Sequence, residues 1–102
     1  MYRVQTTDIA DSQIQQLMIY IAEDSGSNQV ALRYMEKIEK TISQLEIFPE
    51  SGTIPRHLTL RRQGYRVLIV ENHLIFYKFN RNEKLVTIYA VVDSRREYQF
   101  MI

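Results

Sequence analysis

The hydrophobic residues of this chain change period once, and that change limits the folds open to it. Ile14, Leu17, Met18 and Ile21 recur at the i, i+3, i+4, i+7 spacing of one buried helical stripe. Ala31, Tyr34, Met35, Ile38, Ile42 and Leu45 form a second such stripe, ending at Phe48-Pro49. Between them lies Ser25-Gly26-Ser27-Asn28, where Gly26 stops one helix and Ser27 or Asn28 caps the next. So short a turn folds the two helices back on each other as an antiparallel hairpin. Asp8 is placed to cap the first helix, and Tyr2-Arg3-Val4-Gln5-Thr6 before it suits a short strand.

After Gly64 the pattern becomes that of strands. Tyr65 to Val70, Leu74 to Phe79 and Leu85 to Val92 are rich in β-branched and aromatic residues. The polar breaks between them, Glu71-Asn72-His73 and Asn80-Arg81-Asn82-Glu83-Lys84, have hairpin-loop length. Pro49 to Gly64, with two prolines, two glycines and no sustained period, reads as a long surface loop. The expected fold is therefore α+β: a short N-terminal strand, then an antiparallel helical hairpin packed on one face of an antiparallel β-meander. Period-two alternation assigns Val67, Ile69, Ile75, Phe79, Val86, Ile88 and Ala90 to the helix-covered face. Arg66, Leu68, Val70, Leu74, Phe76, Lys78, Thr87 and Tyr89 then form the mixed opposite face. At 102 residues the chain is expected to be one domain, 1–102.

Composition removes several classes. With 45% apolar and 25% charged residues the chain can bury a core and is not a disordered sequence. The absence of cysteine excludes disulfides, thiolate metal sites and a cysteine nucleophile. No apolar run approaches the roughly 20 residues that span a bilayer, and the N-terminus lacks the apolar core of a signal peptide, so a cytoplasmic protein without a membrane partner is expected. The net charge of +1 conceals an asymmetry. Residues 1–50 carry four basic and eight acidic residues, whereas residues 51–102 carry nine basic and four acidic. Such a split hints at an anionic partner, typically nucleic acid.

The candidate functional residues lie in the basic half. Arg56, His57, Arg61, Arg62 and Arg66 fall within eleven residues that hold no acid, and Arg95-Arg96 follows the last strand with Tyr98 close behind. Arginine offers a planar fork that pairs with phosphate oxygens, which makes Arg56, His57, Arg61 and Arg62 candidate phosphate- or RNA-binding residues. The same pattern is equally compatible with a solvated edge. His57 and His73 have no second ligand at metal-binding spacing, there is no phosphate-binding glycine loop and no serine nucleophile elbow, so no metal or cofactor is implied. Any catalysis must use Arg, His, Tyr and carboxylates. Metal-free RNA cleavage suits that inventory, because the substrate's 2′-hydroxyl is the nucleophile and the protein supplies cations, a base and an acid, for which Tyr98, Tyr65 and His57 are available.

Several segments, in order and spacing, resemble the RelE/ParE superfamily of bacterial type II toxins. They are Leu45-x-x-Phe48-Pro49-Glu50-x-Gly52, Gly64-Tyr65-Arg66-Val67, Leu74-Ile75-Phe76-Tyr77 and Val91-Val92-Asp93-Ser94-Arg95-Arg96-Glu97-Tyr98. The resemblance implies a growth-arresting toxin neutralised by a cognate antitoxin, with operator DNA contacted only through their complex. It implies one of two targets: messenger RNA on the ribosome, cut by endoribonucleases of the RelE kind, or DNA gyrase, inhibited by members of the ParE kind. In a ribonuclease, Arg66, Arg95, Arg96 and Tyr98 would be catalytic. Two positions depart from that pattern: Leu68 and Leu74 stand where ribonuclease members tend to carry lysine and arginine, and the F-P-x-x-G turn resembles the gyrase branch. A ribonuclease here would have to replace those cations with Arg61, Arg62 or His57. A non-toxic member kept for antitoxin binding and operator control is the third reading. Leu68, Leu74 and Phe76 are expected either to form an exposed apolar groove for the antitoxin, or to be core beneath a tail such as Tyr98-Gln99-Phe100-Met101-Ile102.

Overall fold

Thr7 joins the first strand to the first helix. Its backbone N–H donates to the Ile88 carbonyl at 3.0 Å, continuing the sheet, while its hydroxyl accepts from the Ala10 N–H at 3.1 Å and caps the helix. The cap is therefore Thr7, and Asp8 sits in the first turn, where a carboxylate faces the positive helix end. The computed structural model describes residues 1–96 and Tyr98. Strand β1 (Arg3–Thr6) leads into α1 (Asp8–Ser25) and α2 (Asn28–Ser43), which a 3₁₀ turn over Gln44–Glu46 extends. A one-turn helix, α3 (Leu58–Arg62), precedes strands β2 (Arg66–Val70), β3 (His73–Asn80) and β4 (Leu85–Asp93). The turn between α1 and α2 forms as its sequence implies, with Gly26 at φ 69° and the Ser27 side chain accepting from the Val30 N–H.

The sheet order is β1-β4-β3-β2: the meander is antiparallel, and β1 adds to it in parallel beside β4. The α1–α2 hairpin covers one face. Ala10, Ile14, Ile38 and Leu45 pack there against Ile75, Tyr77, Val86, Ile88 and Val91. Ile38, Leu45, Ile75, Val86 and Ile88 are fully buried, and burying an aliphatic side chain of this size contributes about 1.5–3 kcal/mol.

Three sequence expectations are corrected. First, β2 has the opposite phase: Leu68 and Val70 pack toward the helices, Val67 packs on the other face and Ile69 is exposed. Val67, Leu68, Ile69 and Val70 are all aliphatic, so alternation could not choose between phases. Second, Ala90 leaves the helix face because β4 carries a bulge. Phe76 pairs with Ala90 and Tyr77 with Ile88, so Tyr89 is an extra residue and the alternation resets. Third, the 49–64 segment is a strap that changes faces and contains α3. It begins on the helix side at Pro49, pairs with the outer edge of β2 through a Thr53–Val67 bridge, and reaches the opposite face, where Leu60 of α3 packs with Tyr65, Phe76, Ala90 and Val92.

The start of the strap is clamped from β2 and β3. The Tyr77 hydroxyl donates to the Pro49 carbonyl at 2.7 Å and accepts from the Gly52 N–H at 2.9 Å. Arg66, paired with Tyr77 across the strands, donates to the Gly52 carbonyl at 3.0 Å and to the Glu50 carbonyl at 3.3 Å. Glu50 also forms an ion pair with Arg81. A Cβ on Gly52 would stand 2.6 Å from the Tyr77 hydroxyl oxygen, so the position requires glycine. Tyr77→Phe is expected to cost about 1–3 kcal/mol, because it orphans a buried N–H and a carbonyl together. Gly52→Ala should cost at least as much through the clash. Both should appear as lower midpoints in urea unfolding, and an unchanged midpoint for Tyr77→Phe would show that the clamp is not a stabilising contact.

Candidate functional site

The strap delivers its basic residues to the face opposite the helical hairpin. Leu60 anchors α3 there, while Arg61 and Arg62 occupy its last turn and remain exposed. Tyr98 lies on the same face, its ring 5.3 Å from that of Phe76, and His57 meets Tyr98 edge-on at 6.0 Å. Arg56 adjoins His57 and Arg96 precedes Tyr98 by two residues, so the contact brings together the two chain segments that carry these arginines. Among the described residues, Arg56, Arg62 and Arg96 make no side-chain hydrogen bond or ion pair. Arg61 is partly engaged, its Nε donating to the Pro55 carbonyl at 3.3 Å.

Two of the other arginines are committed elsewhere. Arg66 lies on the helix side, its guanidinium held by the strap carbonyls and 5.7 Å from the Phe79 ring centre, and so is separated from Tyr98 by the sheet itself. Arg95 grips Asp93 in the turn after β4 through Nε–Oδ1 at 3.0 Å and Nη2–Oδ2 at 2.7 Å, while its backbone N–H also donates to Oδ1. Those bonds hold the Asp93 carboxyl well below the usual carboxylate range. Asp93 thus offsets much of the charge Arg95 would offer a phosphate.

Leu68, Leu74 and Phe76 do not make one exposed strip. Leu68 faces the helices, Leu74 is partly buried on the other face, and Phe76 is 1% exposed beneath Tyr98. The Tyr98 ring packs on Phe76, while Gln99 to Ile102 of the proposed covering tail lie outside the described residues.

The sequence reading left two polar groups out of its site. On the face that carries Tyr98, the Lys78 ammonium sits 4.4 Å from the ring centre of Tyr65 and 5.2 Å from that of Tyr89. The spacing Leu74, Phe76, Lys78 had already put Lys78 there, and the bulge at Tyr89 then brings the rings together. On the helix side, the Tyr34 hydroxyl donates to the Val70 carbonyl at 2.9 Å and lies 2.7 Å from His73 Nδ1. Having spent its one proton on Val70, that hydroxyl accepts from Nδ1–H, which fixes the ring tautomer. No local signal pairs Tyr34 with His73, which are 39 residues apart.

Burial pushes the Tyr34 phenol up to about 12, helped by the charges of Glu71 and Asp93. Burial also lowers His73, and Arg95 adds to this, although Asp93 and Glu71 oppose it. Folding therefore favours the neutral imidazole, and the resulting stability is present above the ordinary value of 6.5 and lost as pH falls below it. The His73 ring protons should titrate below 6.5 by NMR, with the unfolding midpoint dropping over the same range. Tyr34→Phe should cost about 1–2 kcal/mol. A His73 titrating above 6.5 would contradict this arrangement.

Among the described residues no group of three or more His, Asp or Glu is placed to hold a metal ion, and no helix is long and apolar enough to cross a membrane. The fold is the α+β arrangement of RelE/ParE-like toxins, with a helical hairpin on one face of the sheet and a basic strap crossing to the other. A family model described as "ParE toxin of type II toxin-antitoxin system, parDE" matches residues 4–98, and the chain belongs to this family. It is a toxin of a type II toxin-antitoxin system, and the family implies a cognate antitoxin as its partner. Among curated proteins, none matches the chain closely enough to stand as a relative.

Proposed function

We propose that this toxin arrests growth by binding DNA gyrase and carries no nuclease chemistry of its own. The observation that supports this reading is the fate of the expected catalytic cations. Arg66 is engaged by the strap carbonyls on the far side of the sheet from Tyr98, Arg95 is paired with Asp93, and positions 68 and 74 are leucine. Metal-free cleavage of a phosphodiester needs cations converging on the phosphorus, and one such donor is typically worth about 10²-fold or more in rate. Binding to a protein target needs no such convergence.

One arrangement favours the second reading, a ribosome-dependent endoribonuclease. The support for it is that the Tyr98 ring rests beside His57, with Arg56 next to His57 in the chain and Arg96 two residues before Tyr98. Either target would put the toxin in the cytoplasm. The antitoxin, if it docks on Leu74 and Phe76, must displace Tyr98 to reach the second of these.

Induction without the antitoxin, with pulse-labelling of protein and DNA, separates the readings. Gyrase binding predicts early arrest of DNA synthesis and altered plasmid supercoiling with intact messages. An early stop in translation with cut messages would overturn it in favour of the ribonuclease. In that case Arg95→Ala, Arg96→Ala and Tyr98→Phe should each lower cleavage about tenfold or more. Continued growth with neither effect would support a member retained for antitoxin binding and operator control.

A further inference from the structure

The seam between α1 and α2 is apolar at its surface: Met18 and Met35 also pack against the core and Ala31 is buried, whereas Ile19 and Leu32 are exposed. Met18, Ile19 and Ala22 of α1 and Ala31, Leu32 and Met35 of α2 line a groove of about 440 Å³ between the helices. Ile19 is 59% exposed and Leu32 63%, so solvent reaches the flanks of the groove. The charged residues one turn on from groove residues are acidic. Glu36 and Glu39 follow Leu32 and Met35 by four residues and Glu23 follows Ile19 by four, so each lies one turn along the same stripe as a groove residue. Asp11, Gln15, Met18 and Ala22 fall on one stripe of α1 in the same way, and all four acids are exposed. The basic residues of α2 occupy its other flank. Lys37 reaches Glu71 at 3.5 Å in the β2–β3 turn, and Arg33 and Lys40 are its helical neighbours at i−4 and i+3.

We propose that this groove docks the apolar face of a basic amphipathic helix supplied by a protein partner. An apolar stripe between parallel helical ridges accepts the i, i+3, i+4, i+7 residues of a third helix, and the acidic rim complements lysine and arginine on that helix's flanks. A second copy of this chain is a poorer occupant, because hairpin against hairpin brings two acidic rims together. The surface lies on the opposite side of the molecule from Tyr98 and the exposed arginines, so its occupant is chemically distinct from an anionic partner bound there. The proposal does not rest on gyrase as the target.

The test uses the full chain and two fluorescently labelled helical peptides. One has leucines at 3.6-residue period with lysine elsewhere; the other has glutamate in place of each lysine. The lysine peptide should bind at least about tenfold more tightly, with affinity falling as salt is raised. Leu32→Ser and Ile19→Ser should each weaken it about tenfold without changing the melting profile, since both side chains are largely exposed. Glu36→Lys with Glu39→Lys should weaken it similarly, whereas Arg33→Glu on the other flank should not. Equal binding of the two peptides, or indifference to Leu32→Ser, would overturn the proposal. So would sedimentation showing a dimer that Leu32→Ser dissociates, which would assign the groove to a second copy.

Discussion

The Tyr77 hydroxyl, with Pro49 and Gly52 on either side of it, is the contact on which the layout of this toxin depends. A single phenol on the central strand β3 satisfies a carbonyl and an N–H of the strap at once, and Arg66 takes two more carbonyls beside it. These bonds fix where the chain leaves the hairpin layer. From that point the strap pairs with the edge of β2 at Thr53 and crosses to the opposite face, where Leu60 closes a second small core with Tyr65, Phe76 and Tyr98. Pro49, Glu50 and Gly52 all take part in this clamp. Gly52 leaves room for the Tyr77 ring, Pro49 presents a carbonyl, and Glu50 is tethered by Arg81.

The clamp also sorts the arginines. Arg66's bonds to the strap hold it among the groups that organise the fold. The bond of Arg95 to Asp93 likewise turns a cation toward its own chain. Among the described residues Arg56, Arg62 and Arg96 have no side-chain partner, and the first and last of them lie close in sequence to the His57–Tyr98 contact. The near-zero net charge thus describes a polar molecule, and its opposite surfaces suit partners of opposite charge.

Local patterns in the sequence carried the element order, the Gly26–Ser27 turn, the meander and the resemblance to the toxin family, because each rests on residues a few positions apart. Thr7 in place of Asp8 as the cap was a near miss, since only its bond to Ile88 in β4 shows that Thr7 ends the strand and starts the helix together. Helix α3 was not visible inside the strap. Five residues are too few to show a helical period, and Leu60 is its single buried anchor.

By itself the sequence determined which segments bury one face, where the chain reverses and where the charges of each sign concentrate, since periodicity, turn chemistry and composition are local properties. The tertiary structure alone decided which face β2 presents, where β4 changes phase and which arginines the fold itself engages. Four aliphatic residues in a row made the phase of β2 undecidable, and the bulge at Tyr89 changed that of β4 midway. The bonds that resolved the rest, Tyr77 to Pro49 and Tyr34 to His73 among them, join residues 28 and 39 positions apart.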